Sequence, residues 1–323
     1  MDIRIVPLAA ESLGTRSMCT YVETRDLRIL IDPGASLGPR FGLLPHPKEY
    51  EALRRARKQL AYYADLVSVV SISHYHYDHA TPTYTDYLWN LCDQDVAKQL
   101  YQDKRVLAKD YRGMINPSQR RRGWMLKDRT ERLVQSFEPA DGQTFSFGST
   151  SLRFSNPVPH GENGTPLGWV IMLTVESGGD VFVHASDIQG PMIAETAHML
   201  LDSRPDTVFI GGPPTYLSEY RIKKESAAKA FDNLALIAEK VPVTIVDHHV
   251  LREGKPQGLE KVISASEKVG HRVVTAAEYL GQENQFLESE RRSLYNEYPP
   301  SKEFLTWTKL PERKRMTIPP PQL

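Results

Sequence analysis

His74-Tyr75-His76-Tyr77-Asp78-His79 places four metal-ligand side chains in six consecutive positions. The cluster follows Leu66 to Ile72, a short Val-rich apolar run that reads as a strand buried on both faces. Where a strand runs into a turn, side chains two apart point the same way. His74, His76 and Asp78 therefore share one side before the backbone turns to bring His79 round. Imidazole nitrogen and carboxylate oxygen are the donors expected of zinc or a related divalent ion. The chain holds 10 histidines, and three of them within six residues after a core strand point to a metal site.

Upstream, Asp2 to Val6, Cys19 to Glu23 and Leu27 to Ile31 read as strands, the third stopped by Asp32-Pro33-Gly34. Lys48 to Ala64 has helical spacing and a basic face of Arg54, Arg55, Arg57 and Lys58. Downstream, Tyr84, Tyr87, Leu88 and Leu91 suggest a helix. The polar, basic stretch 102–132, centred on Arg120-Arg121-Arg122-Gly123-Trp124, reads as an insertion or lid of modest helical content. Thr144 to Phe147 with Ser151 to Ser155, and Gly168 to Val175 with Val181 to His184, read as hairpins. Helices near Met192 to Leu201, Lys223 to Lys240 and Leu259 to Val269 then alternate with strands at Thr207 to Ile210, Val243 to Val246 and Val273. This alternation predicts a layered α/β protein.

The 323 residues are 40% hydrophobic and 25% charged, and 40 basic side chains cancel 40 acidic ones. Net charge thus argues for no polyanionic partner. No apolar run of roughly 18 residues predicts a membrane span, and the N-terminus reads as a strand rather than a signal peptide. Cys19 and Cys92 lie far apart in apolar company, which predicts two buried thiols and a cytoplasmic location. No oligomeric state follows from the sequence.

The motif His-x-His-x-Asp-His resembles the signature of the metallo-β-lactamase superfamily at every defined position. The resemblance implies a four-layer αββα sandwich with a two-metal site along one edge of its sheets. It further implies that Asp32 braces the metal loop, that His160 is a third histidine and that Asp187 bridges the ions. A last histidine falls in Asp247-His248-His249; Arg252 downstream favours His248, with His249 as the alternative. One ion would then take His74, His76 and His160, and the other Asp78, His79 and His248. Zinc suits such donors, and manganese or iron fit a site with a bridging aspartate. The reaction implied is hydrolysis by water activated between the metals, with Asp78 or the free histidine moving the proton. The chain is also similar to a branch of predicted hydrolases common in archaea. Residues 1–283 form the expected domain, carrying the 102–132 insertion, and 284–323 an appended helix and extended tail.

The same residues have plainer readings. His160 suits a turn, Asp187 a helix N-cap, His184 a packed core position, and His46 and His198 a surface or core role. Tyr75 and Tyr77 suit packing against neighbouring loops, and Gly211-Gly212-Pro213-Pro214 a site rim or a structural turn. Asp247 is placed to orient whichever histidine does not bind metal.

Three functions remain open: a small-molecule hydrolase, a nuclease, and a non-hydrolytic metal-binding or redox protein. For the nuclease speak Arg112, Arg120, Arg121, Arg122, Lys127, Arg129 and Arg132, with Trp124 available for stacking. Asp128 and Glu131 dilute that charge, and the interval from Asp187 to His248 reads as ordinary core. The small-molecule substrate is the preferred expectation.

Overall fold

The computed structural model describes residues 2–217, 223–254 and 258–321. A first sheet runs β1 (Arg4–Pro7), β2 (Thr20–Glu23), β3 (Arg28–Ile31), β4 (Val69–Ile72), β5 (Arg105–Ala108) and β6 (Ser136–Pro139) in that spatial order. β1 to β3 are antiparallel and β3 to β6 parallel. β7 (Thr144–Phe147) and β8 (Thr150–Phe154) begin a second sheet, while β9 (Val158–Pro159) and β10 (Trp169–Val170) pair only with each other. β11 (Leu173–Ser177), β12 (Asp180–Ser186), β13 (Thr207–Gly211), β14 (Val243–Asp247) and β15 (Arg272–Val274) complete the second sheet, its β12 to β15 half parallel.

Period-2 alternation sorts the side chains into layers. Ile29, Ile31, Val69 and Leu107 of the first sheet meet Leu152, Phe154, Leu173, Phe182, Phe209 and Ile245 of the second in one buried core. On the other face of the first sheet, Leu30, Val70, Ile72 and Val106 pack under α1 (Pro47–Ala64), α2 (Gln94–Tyr101) and α3 (Pro117–Thr130). On the far face of the second sheet, Val183, Ala185, Val208 and Ile210 pack under α4 (Ala194–Leu201), α5 (Lys224–Lys240) and α6 (Leu259–Glu267). This is the expected αββα order of four layers. After α7 (Ala276–Tyr279), the chain forms α8 (Arg291–Glu297), α9 (Lys302–Thr308) and α10 (Glu312–Thr317).

Several expectations need correction. Stretch 102–132 is no insertion: β5 sits inside the first sheet and α3 covers it. α3 starts at Asn116, whose side chain accepts from the Gln119 N–H at 2.7 Å, with Pro117 in the first turn. No helix forms around Tyr84 to Leu91. The Asp86 carboxylate takes the Trp89 N–H at 3.0 Å and the Asn90 amide at 2.6 Å, which holds a turn instead. Arg57 leaves the basic face of α1; it is buried and donates to Asn90 O, Thr81 Oγ1 and Ala35 O at 2.6–2.8 Å. Residues 284–321 form three short helices rather than one helix and a tail, with Phe304 and Trp307 of α9 packed into the core beside Tyr50. Gln322 and Leu323 lie outside the described residues.

Buried ion pairs clamp the two ends of the fold together. Arg16 meets Glu288 at 2.6 Å, Arg291 meets Glu49 at 2.6 Å, and Arg252 meets Glu11 at 2.5 Å. Cys19 and Cys92 are buried free thiols. Among the described residues no helix is long and apolar enough to cross a membrane.

Candidate metal centre

Strand ends deliver the polar side chains to one edge of the sandwich. β3 runs into Asp32, β4 into Ser73 and the 74–79 loop, β12 into Asp187, and β14 into Asp247 and His248; His160 follows β9. In parallel sheets this carboxyl end is where ligand sites form. Asp32, Ser186 and His248 have φ of 49°, 58° and 67°. Non-glycine residues adopt that left-handed region at a cost, and here it aims side chains into the site. Gly34 solves a different problem. A Cβ there would lie 2.4 Å from Ala80 N and 2.5 Å from His79 N, so only glycine lets the turn after Asp32 sit against the loop.

The expected side chains converge in overlapping groups. His74, His76, His160 and Asp187 each bring one donor atom within 4.8 Å of the others, as do Asp78, His79 and His248. In the first group His76 Nδ1 lies 3.1 Å from His74 Nε2 and 3.2 Å from His160 Nε2. Asp187 lies between the groups: its Oδ2 is 3.1 Å from His160 Nε2 and 3.6 Å from His248 Nε2. His248 Nε2 is also 3.6 Å from Asp78 Oδ2.

Asp32 stands one step back. Its carboxylate, fully buried, accepts from Ser73 N at 2.7 Å, Ser73 Oγ at 2.6 Å and His79 Nδ1 at 2.8 Å. Holding the proton on His79 Nδ1 turns an unprotonated Nε2 toward Asp78 and His248. The Ser186 hydroxyl adds a contact to Asp32 at 3.3 Å and meets Ser73 Oγ at 2.6 Å. Those two serines had no sequence signal beyond following β4 and ending β12.

His248 and His249 part company clearly. His248 is fully buried, with no hydrogen-bond partner on either ring nitrogen. Both His249 nitrogens are engaged, Nε2 with Asp187 Oδ2 at 2.9 Å and Nδ1 with the Tyr216 hydroxyl at 3.0 Å. That hydroxyl also accepts from Arg252 at 3.0 Å. Asp247 does not orient His249, as had been expected. It accepts instead from the backbone N–H groups of Ser12, His248 and Ala276 at 2.7–3.2 Å, and so fixes the end of β14. Tyr216 is the functional neighbour the sequence did not disclose.

Electrostatics favour ligand protonation states. Burial lowers His74, His76, His248 and His249, with His76 and His248 at about 3 and His249 at about 4. Burial alone would raise Asp187, yet His249, His160 and His248 hold it well below the usual carboxylate range. Asp78 is likewise lowered against burial, by His79 and His248. His79 is the exception: burial lowers it, but the hydrogen bond and charge of Asp32, with the charges of Asp78 and Asp187, together raise it. Neutral imidazole and ionised carboxylate are what a metal requires. Buried polar atoms ordinarily find partners, but His79 Nε2, Asp187 Oδ1 and both nitrogens of His248 have none. A divalent cation fits this donor set.

His184 is packed, bonded to Met18 O at 2.9 Å. His46 caps α1 in a capping box with Glu49, and His198 is exposed on α4. Tyr75 is buried and donates to Lys109 O. Tyr77 instead lines a cavity of about 500 Å³ over the centre, together with His76, Asp78, His160 and His249. Arg122 lines it too, whereas Arg120, Arg121 and Trp124 face a separate hollow of about 420 Å³ with Tyr111, Arg112 and Pro117. Glu312 and Met316 of α10 supply another part of the wall.

A family profile described as "Beta-lactamase superfamily domain" matches residues 27–243. A "UPF0282 protein" of Methanopyrus kandleri is 44% identical over 91% of this chain and 100% of its own length. A solved "metal-dependent hydrolase of the beta-lactamase superfamily" is 16% identical with a TM-score of 0.42, covering 84% of this chain and 95% of that one. The diiron β-hydroxylase CmlA of Streptomyces venezuelae is 13% identical with a TM-score of 0.46, covering 85% and 52%.

Proposed function

Because this chain belongs to the beta-lactamase superfamily, with archaeal UPF0282 proteins among its relatives, we propose that it is a metal-dependent hydrolase of small molecules. The bond cleaved is an ester, lactone, thioester or phosphoester. The observation that carries this reading is the convergence of His74, His76, His160, Asp187, Asp78, His79 and His248, several with donor atoms that have no other partner.

His74, His76 and His160 would hold one ion and Asp78, His79 and His248 the other, with Asp187, whose carboxylate lies near both groups, available to each. Zinc is the metal proposed, with manganese or iron as alternatives. Bound there, divalent ions lower the pKa of water and stabilise negative charge developing on oxygen. Asp32 keeps the His79 ring in the tautomer that presents Nε2. Asp78 and His249 both line the cavity, and His249 Nε2 touches Asp187 Oδ2, so these two are placed to move a proton toward the leaving group. Tyr216 and Arg252 fix the His249 ring from behind.

A cavity of about 500 Å³ suits a small molecule. The second reading, a nucleic-acid phosphodiesterase, draws on one feature: the hollow of Arg112, Arg120, Arg121 and Trp124 lies on the same α3 that sends Arg122 into the cavity. Salt-sensitive binding of single-stranded RNA, lost on replacing Arg120 and Arg121 by Ala, would favour it over the first. The buried thiols suit a cytoplasmic enzyme.

Elemental analysis after reconstitution tests the central claim. About two divalent ions per chain are expected, with one or both lost, along with hydrolysis, in His76→Ala and Asp187→Ala. Protein that takes up no metal overturns it.

A further inference from the structure

Arg122 is the cation of this cavity that is not neutralised. The other arginine lining it, Arg16, is held by both oxygens of Glu288 at 2.6 and 2.7 Å. Arg122 has no carboxylate partner among the described residues. It lies over the Tyr77 ring at 4.5 Å and reaches the Tyr75 carbonyl only at 3.5 Å. Neither contact cancels its charge.

The fold takes care to put this side chain there. Gly123 follows it, and a Cβ at that position would meet the Tyr75 ring and Tyr111 Cβ at 2.6 Å. Only glycine lets α3 press directly onto the metal loop. Four residues earlier, the buried Gln119 side chain accepts the Tyr75 N–H at 3.0 Å and donates to Leu167 O at 2.7 Å. α3 is thereby fastened both to the loop that carries the metal ligands and to Leu167, another residue of the cavity wall. Arg122 is thus held in register with the centre, and His76, lowered first by burial and then by His160, also feels its charge. Around the same cavity stand Tyr84, Trp89 and Tyr216. Tyr216 is already engaged, stacked on His249 with ring centroids 6.0 Å apart and with the Arg40 guanidinium over its ring at 4.5 Å, which leaves Tyr84 and Trp89 to face a ligand.

We propose that the substrate is a small anion with a planar body, its carboxylate or phosphate received by Arg122 and its ring lying against Tyr84 and Trp89. The guanidinium presents a planar fork matched to two oxygens of such a group, and aromatic walls favour a flat partner. Glu312, exposed on α10 at another part of the wall, has the opposite sign and opposes entry in the reverse orientation. This proposal rests on the hydrolase reading for turnover but not for binding, and the experiment separates the two.

Metal-loaded protein is titrated with phenylphosphonate and with benzoate, neither of which can be hydrolysed, and is assayed on 4-nitrophenyl hydrogen glutarate against 4-nitrophenyl valerate. The two esters share acyl length and leaving group and differ in one carboxylate. Wild type is expected to bind at least one of the two anions and to prefer the glutarate. Binding preferentially to phenylphosphonate identifies a phosphate-type group, and to benzoate a carboxylate. Arg122→Gln is expected to weaken anion binding by about ten- to a hundred-fold and to abolish the ester preference. Arg122→Lys, which keeps charge without the fork, should fall between, and Arg28→Gln, exposed on β3 and paired with Glu23 away from both cavities, should match wild type. Equal anion affinity in wild type and Arg122→Gln, or no binding of either anion by wild type, overturns the proposal. Absence of turnover with anion binding intact counts against the hydrolase reading and leaves the anion site standing.

Discussion

Exchanging Asp32 for Asn alters one atom of a fully buried side chain and should cost the protein one metal site. The carboxylate takes Ser73 N on Oδ1 at 2.7 Å and His79 Nδ1 on Oδ2 at 2.8 Å. In Asp32→Asn the amide oxygen must stay on the Ser73 side, because the backbone N–H there can only donate. The NH2 then faces His79 Nδ1, which has to accept, and the ring proton moves to Nε2. Nε2 is the atom turned toward Asp78 and His248, and a protonated nitrogen cannot bind a cation. Loss of a hydrogen bond to a charged group costs about 1.5–3 kcal/mol. This agrees with the roughly ten- to hundred-fold loss of metal affinity seen when such supporting partners are removed. Titrating zinc into metal-free protein against a chromophoric chelator should show one binding step weakened by that factor and the His74, His76, His160 step preserved. Two steps of wild-type affinity in the Asn variant would refute the bracing role assigned to Asp32.

His248→Ala should lose the ion held with Asp78 and His79, whereas His249→Ala should keep the metal content of wild type and lose hydrolysis; the reverse pattern by elemental analysis would exchange their roles. Metal-free protein should weaken in mild acid. His248 and His249 sit at about 3 and 4 when folded, against about 6.5 in the unfolded chain. The unfolded chain therefore binds protons first as pH falls. The stability these groups contribute is complete above pH about 6.5 and is lost as pH falls toward about 4 for His249 and about 3 for His248, at roughly 1.4 kcal/mol per pH unit for each histidine. Urea midpoints at about pH 7, 6 and 5 should fall in that order, and a flat series would contradict the lowered values.

The sequence was most legible where chemistry and periodicity coincide. The 74–79 loop announced itself because ligand spacing followed a buried strand, and Asp32, His160, Asp187 and His248 fell where strand ends were expected. β5 and β6 were missed because their exposed faces carry Arg105 and Glu138, paired at 2.7 Å across the two strands, which makes the stretch look like solvated loop. α3 was undervalued because Gly123 and three arginines conceal its apolar side. Asn116-Pro117 is the start signal that could have revealed it. Arg120, Arg121 and Arg122 are equivalent in composition, and only the helical phase decides that the third enters the cavity. Tyr216 could not be read at all, since its distance to His249 depends on how the loop after β13 meets the end of β14.

The ion pairs between residues 11–49 and 252–291 also set an order of events. Glu11, Arg16 and Glu49 are synthesised early but find their partners Arg252, Glu288 and Arg291 only after most of the chain has emerged. Contacts of such long sequence separation are slow to close. These pairs therefore tie the last part of the chain to its first, and the clamp can close only once residues 252–291 have been made.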